Sequence, residues 1–301
     1  MQDRSELSVI LHGGGGKASP EHARNKIKPM EAALDAAWTL LCQGAPGVRA
    51  VEAALRVMEG SQYFNAGYGG YPNVNGVVLT DVGVMTGQRD FVALLNVRRV
   101  TYPSSVACDM LREGKAHMTV WTHSHEQLLD AESESKKSHY GVVKTHEDLV
   151  APYVRQLIER KIALEVRQGD EIPDDESEVG GTVGCVVRDA SGELCAGTST
   201  GGVSLKANGR IGDSPIVGSG LFADSEICGL STTGHGESLL RSCMSGFVIG
   251  EIRRALRDNP DCFAENRLAL QEILRNEIRQ EKPLWRGNGC YSLRWPPRLH
   301  F

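Results

Sequence analysis

Read for apolar periodicity, the chain resolves into strand-length runs and helix-length stripes. Ser8-Val9-Ile10-Leu11 is a short apolar run that predicts a buried strand, and it feeds into His12-Gly13-Gly14-Gly15-Gly16. Residues without Cβ allow a tight, close-packed turn there. From Met30 the stripe Met30, Leu34, Ala37 and Leu41 lies on one helical face and stops at Gly44; Val48, Val51, Leu55 and Met58 repeat the pattern up to Gly60. Two helices are therefore expected after the first strand. Valine-rich Gly76 to Met85, bounded by Asn75-Gly76 and Gly87, predicts a strand, with Phe91 to Arg98 as its neighbour. A mixed helical region is expected over Ser104 to Leu164.

The pattern then breaks. Arg167 to Val179 is acidic and has almost nothing to bury, so residues 167–181 read as a mobile linker. The next segment is glycine-punctuated strand: Thr182 to Arg188, a turn at Asp189-Ala190-Ser191-Gly192, and Glu193 to Thr200 predict a hairpin. Glycine, serine and threonine dominate up to Glu237, after which Leu240, Met244, Phe247 and Ile252 mark a helix. Strand groups flanked by helices favour a layered α+β class over a doubly wound parallel sheet.

With 301 residues the chain can bury a large core. It is 41% hydrophobic and 24% charged with a net charge of −5, so no basic excess favours nucleic acid or an anionic membrane. The apolar run after the polar start is too short for a signal or membrane segment, and eight scattered cysteines without a CxxC pair fit reduced thiols. Both features predict a cytoplasmic protein. His235, Glu237 and the His123-Ser124-His125-Glu126 string match no zinc spacing, so no metal site is expected from them.

The chemistry lies in four short strings: Gly180-Gly181-Thr182-Val183-Gly184, Thr198-Ser199-Thr200-Gly201-Gly202, Gly209-Arg210-Ile211-Gly212-Asp213-Ser214-Pro215 and Ser231-Thr232-Thr233-Gly234-His235-Gly236-Glu237. In this order, and with His12-Gly13-Gly14-Gly15, Phe64-Asn65-Ala66-Gly67, Asn75-Gly76 and Asp81, the chain resembles the plant-type asparaginase/isoaspartyl aminopeptidase family of N-terminal-nucleophile hydrolases. The resemblance spans roughly residues 8 to 245. It implies a four-layer αββα sandwich, a single domain over 1–301 that cuts itself into an α-subunit (1–181) and a β-subunit (182–301), and a dimer of such αβ units. The implied activity is hydrolysis of L-asparagine and of β-aspartyl peptides, whether small molecule or dipeptide.

A threonine hydroxyl is a weak nucleophile and needs a base in reach. Cleavage of Gly181–Thr182 would give Thr182 an α-amine of pKa about 8 on its own backbone, a base tethered to the hydroxyl. Gly181, lacking Cβ, lets that hydroxyl reach its carbonyl. The resemblance further implies that Thr200 positions Thr182 and that Thr233 and Gly234 form the oxyanion hole. Arg210 suits a substrate α-carboxylate and Asp213 its α-ammonium, with Gly236 beside them. No cofactor is required; a structural monovalent cation held on carbonyls near Glu59 to Gly67 is implied. His12 reads as a packing residue.

Three departures from the family pattern stand out. Gly180-Gly181 replaces the usual histidine-containing pair, which predicts slower self-cleavage. Leu79 and Thr86-Gly87 stand where acidic residues are expected. From residue 254 to 301 a helical run, Leu268 to Ile278, and Trp285 and Trp295 segments replace closing strands, an atypical tail. Rival readings are a glycosylasparaginase-like amidase and an unprocessed, non-catalytic paralogue.

Overall fold

The computed structural model describes residues 7–15, 19–114, 118–119, 129–168, 181–265 and 268–280. Residues 169–180 of the linker expected over 167–181, Gly16, the 123–126 histidine string and the tryptophan-containing tail fall outside these residues, while 167–168 belong to a helix.

Strand β1 (Ser8–Gly13) runs two residues further than the apolar pattern suggests, so His12 and Gly13 belong to the ladder and the turn begins at Gly14. Helix α1 (Pro20–Cys42) starts ten residues before the expected stripe. Ser19 caps it by accepting from His22 N, and Pro20 suits the first turn, where an amide hydrogen would lack a partner. Its inward face is His22, Ala33, Ala37 and Leu41; Leu34, expected inside, is 42% exposed, so the buried stripe is rotated by one position. Helix α2 (Gly47–Glu59) buries Val51, Leu55 and Met58 as predicted. Pro46 offers it no cap, and Asp189 Oδ2 accepts from Gly47 N at 2.9 Å instead, a carboxylate at a helix N-terminus.

Asn75-Gly76 makes a turn, not the start of a strand: Asn73 Oδ1 accepts from the amides of Asn75 and Val77, and Gly76 takes φ +76°. Strand β2 (Thr80–Thr86) follows, then β3 (Phe91–Val97). The mixed region holds α3 (Pro103–Arg112), β4 (Met118–Thr119), α4 (Glu134–Tyr140) and α5 (Pro152–Gln168). The hairpin forms as expected in β5 (Val183–Arg188) and β6 (Leu194–Thr200), turned by Asp189 Oδ1 accepting from Ser191 N and Glu193 N. A second pair, β7 (Leu221–Asp224) and β8 (Cys228–Ser231), precedes α6 (Gly236–Ser242) and α7 (Met244–Asp258). The single helix expected here is two, broken at Cys243 with φ +50°, and Phe247, expected inside, is 60% exposed. Helices α8 (Cys262–Glu265) and α9 (Ala269–Gln280) close the described chain.

The main sheet has the order β1-β5-β6-β2-β3-β4 and is antiparallel except for the β3–β4 pair. Helices α1, α2 and α3 cover one face, with Ala33, Ala37, Val51, Leu55, Val82, Leu94 and Val183 in one core. The β7–β8 pair covers the other face, and Ile249 of α7 joins Leu221, Phe222, Met85 and Ala196 there. Both approaches use glycine. A methyl at Gly197 would meet Val51 at 2.5 Å, and one at Gly229 would meet Val186 at 2.4 Å. With both faces covered, every position of β2 from Thr80 to Met85 is buried. The fold is therefore mixed helix and sheet, as the α+β reading predicted.

Candidate active site

Thr182 precedes β5, an inner strand flanked by β1 and β6. Val183 pairs with Gly13 on one side and Ser199 on the other, so one step further in register Thr182 faces Thr200. The ladder thus brings the candidate nucleophile, the glycine turn and Thr200 to one sheet end. Thr182 is 7% exposed, and its Oγ1 lies 2.6 Å from Ser214 Oγ. Ser214 is itself pinned, because Thr198 Oγ1 donates to its carbonyl at 2.6 Å. Thr200 Oγ1 accepts from Gly202 N at 3.0 Å and so shapes the turn after β6.

The Gly181 peptide is gripped from both sides. A methyl on Gly14, which has φ +109°, would lie 2.6 Å from Gly181 N. One on Gly181 would lie 2.6 Å from Thr233 Oγ1 and 2.8 Å from Gly15 N. Only glycine fits at these positions. Thr233 Oγ1 accepts from Gly15 N at 3.1 Å, which leaves its own hydroxyl proton available as a donor beside this peptide. Gly234 is exposed next to it.

The charged residues gather at the other end. Arg210 is forked onto Glu237, Nε to Oε1 at 2.8 Å and Nη2 to Oε2 at 2.9 Å. Asp213 is 4% exposed and its Oδ2 accepts from Thr232 Oγ1 at 3.3 Å. Burial raises the Asp213 pKa, while backbone and Thr232 hydrogen bonds and the Arg210 charge oppose that rise. A methyl at Gly236 would come within 2.8 Å of Asp213 Oδ1 and 3.0 Å of Arg210 Nη2, so both groups converge on it. Gly202 and Gly212 crowd the same guanidinium.

A buried shell supports both ends. Asn65 Nδ2 donates to Gly202 O and its Oδ1 accepts from Tyr71 N. Lys206 Nζ donates to Leu79 O at 2.9 Å and lies 3.6 Å from Asp81 Oδ2, with both side chains fully buried. Leu79, a departure in the sequence, thus contributes through its backbone. His12 Nε2 bonds Ser231 Oγ at 2.6 Å, linking β1 to β8. Burial lowers its pKa to about 4, so it is neutral at physiological pH.

Among the described residues no cluster of His, Cys, Asp or Glu could hold a metal ion. Backbone carbonyls do converge. A methyl at Gly67 would meet Thr101 O and Glu59 O, and one at Gly69 would meet Phe64 O and Ser61 O. A set of neutral oxygens around glycines fits a monovalent cation better than a divalent one. Glu59 itself is fully buried, with its carboxyl on Ser104 N and Oγ, and burial pushes its pKa up to about 8.

The structure brings Gly181, Thr182, Thr200 and Thr233 together, and separately Arg210, Asp213 and Gly236. Sequence reasoning assigned no role to Ser214 or Glu237. Ser214 lay within the quoted Gly-Asp-Ser-Pro string, but its contact with Thr182 spans 32 positions that no local pattern reveals.

Residues 5–265 match the family described as Asparaginase. The chain is 36% identical over 245 residues to a probable isoaspartyl peptidase/L-asparaginase of Drosophila melanogaster, covering 77% of this chain and 73% of that protein. It is 34% identical over 248 residues to an isoaspartyl peptidase/L-asparaginase of Homo sapiens, covering 82% and 77%. With that of Mus musculus the identity is 32% over 238 residues, covering 78% and 69%.

Proposed function

The chain belongs to the asparaginase family, and from that premise we propose that it hydrolyses L-asparagine to L-aspartate and ammonia and removes β-aspartyl residues from peptides. The carrying observation is the buried Thr182 hydroxyl, held 2.6 Å from Ser214 and adjacent to a peptide gripped by glycines.

In this reading the chain first cuts itself. Thr182 Oγ1 attacks the Gly181 carbonyl, the amide becomes an ester as the acyl group moves from nitrogen to oxygen, and water releases a Gly181 carboxylate. The freed Thr182 amine then accepts the hydroxyl proton as Oγ1 attacks the side-chain carbonyl of the substrate. The Thr233 hydroxyl and Gly234 N–H donate to the oxygen that becomes negative. Collapse expels ammonia or an amino acid, which takes the proton, and water hydrolyses the aspartyl ester. Arg210 receives the substrate α-carboxylate and Asp213 its α-ammonium, which asparagine and β-aspartyl peptides share. Thr200 positions the nucleophile through the ladder register.

The same reading makes the layers an αββα sandwich: α1 to α3, the main sheet, the β7–β8 sheet, and α7. The α-subunit 1–181 and β-subunit 182–301 stay packed as one domain through the β1–β5 ladder, and two such αβ units pair. Carbonyls of Glu59, Ser61, Phe64 and Thr101 hold a structural monovalent cation without taking part in chemistry. A cytoplasmic setting belongs to the same reading; the described cysteines are free thiols, and no helix among the described residues is long and apolar enough to cross a membrane.

Intact mass of the ageing protein, beside Thr182→Ala, tests the proposal together with ammonia release from asparagine. Two fragments breaking before Thr182 in the wild type alone, with activity rising as they form, are expected. The substitution should leave one chain and cost at least about 10⁴ in rate. A wild-type chain that stays whole and inert overturns it.

A further inference from the structure

Beside the glycine turn, a cleft of about 430 Å³ opens between the end of β1 and α1, lined by Gly13, Gly14, Lys26, Ile27, Met30 and Glu31. Lys26 Nζ donates to Gly13 O at 2.9 Å and sits 5.6 Å from the centroid of the Phe64 ring. An ammonium carries three donors, so one hydrogen bond to a carbonyl leaves two. Among the described residues no carboxylate pairs with Lys26, although Glu31 lines the same cleft, and burial lowers the pKa of the Lys26 ammonium to about 8. A partly buried cation without a counter-ion lacks the anion that would offset its desolvation.

The cleft lies on the α1 face of the main sheet, whereas the Thr182 hydroxyl faces Ser214 on the β7–β8 side, and the two meet around the end of β1. Gly13 pairs with Val183, the residue after the nucleophile, and Gly14 touches the Gly181 amide. In the hydrolase reading, a substrate anchored at Arg210 and Asp213 presents its side-chain carbonyl to Thr182, and the part beyond the scissile bond would leave by the space that Gly181 vacates, past Gly14 at the end of β1. Asparagine has only an amide nitrogen there. A β-aspartyl dipeptide has a whole residue, ending in a free α-carboxylate.

Resting on the hydrolase reading above, we propose that Lys26 receives the α-carboxylate of the residue released from a β-aspartyl dipeptide, while Ile27 and Met30 line the space for its side chain. Arg210 and Asp213 select the aspartyl half, which all substrates share. Lys26 selects the leaving half, and makes the enzyme favour dipeptides with a free C-terminus over the same dipeptides blocked as amides.

The test uses the mature wild type beside Lys26→Met and Lys26→Arg, each shown by mass to be fully broken before Thr182. Substrates are L-asparagine, β-aspartyl-leucine and β-aspartyl-leucinamide. Lys26→Met should raise KM for β-aspartyl-leucine about tenfold or more, as expected for loss of a hydrogen-bonded charge. It should leave asparagine within about twofold and erase the wild type's preference for the acid over the amide. Lys26→Arg should keep that preference.

A parallel fall on all three substrates would make Lys26 only a strut for the Gly13 carbonyl and overturn the proposal. So would a wild type indifferent to the blocked C-terminus. A second readout is independent of turnover: β-aspartyl-leucine, and not its amide, should slow reductive methylation of Lys26 by formaldehyde, read from the peptide mass. Protection in a chain that hydrolyses nothing would sink the hydrolase reading and leave the carboxylate site standing. Unchanged methylation in an active enzyme would do the reverse.

Discussion

The two ends of the candidate site are built from opposite materials. Around Thr182 the partners are hydroxyls, amides and glycines: Ser214 at 2.6 Å, Gly14 and Gly15 against Gly181, and Thr233 beside them. Around Gly236 they are charges, with Arg210 forked onto Glu237 and the Asp213 carboxyl buried. The neutral end depends on close approach, where a single methyl is too much. The charged end depends on counter-charge, and it is already partly satisfied before any substrate arrives. In the proposed reading bond-breaking rests on packing and substrate selection on electrostatics, and the two should fail in different ways.

The sharpest way to break that contrast is at Gly14. Alanine there would force φ +109° on an L side chain and bring its Cβ to 2.6 Å from Gly181 N. Displacement of this peptide by even 1 Å should slow self-cleavage about 100-fold or more, followed as the half-life of the intact chain. Normal cleavage in Gly14→Ala would show that the neutral end is not held by packing.

Arg210→Leu probes the other end. Cleavage of the chain should proceed unchanged, while kcat/KM for asparagine falls about 100-fold, as for loss of a bidentate charged contact. Glu237→Gln sharpens the point. With Glu237 half-exposed, the pair is worth about 1 kcal/mol, so releasing Arg210 from it should lower KM by a factor of about 2 to 5. A rise in KM would mean that Glu237 orients the guanidinium and does not compete for it.

Much of the neutral end was legible in the chain, because its signals are local. The run into His12-Gly13, the abrupt start of strand at Thr182 and the Asp189 turn each follow from alternation and glycine placement, and their register then puts Thr182 opposite Thr200. The start of α1 was hidden because Pro29 lies inside it and its first ten residues are largely polar. The helix stands because Leu41, Ala37 and Ala33 pack on the sheet, a tertiary gain that outweighs local propensity. The charged end was legible by residue type and not by partner. Arg210 and Glu237 lie 27 positions apart, and nothing in either segment announces their fork. Among the described residues beyond Ser231 the chain is helical, so the helical expectation for Leu268 to Ile278 holds, and the second sheet has two strands.

The smallest effect lies beneath the neutral end, at Glu59. Its carboxyl sits on Ser104 and interacts with Ser199, which pairs with Val183. Desolvation raises its pKa from 4.5 to about 8 against the Ser104 hydrogen bonds and the Arg56 charge, so at neutral pH the folded protein keeps this acid protonated. The unfolded chain releases the proton near pH 4.5 and the folded chain only near pH 8. Between those values the native state binds more protons, so stability must fall as pH rises. Glu59→Gln, equally able to hydrogen-bond and unable to ionise, removes this dependence. Comparing pH 6 with pH 8 at fixed sodium concentration, the wild type should lose about 2 kcal/mol more than the variant. For a chain of this size that is a relative shift in Tm of about 5 °C. Parallel melting curves for the two proteins at both pH values would mean that Glu59 is ionised in the fold, and the neutral end would then rest on a buried charge after all.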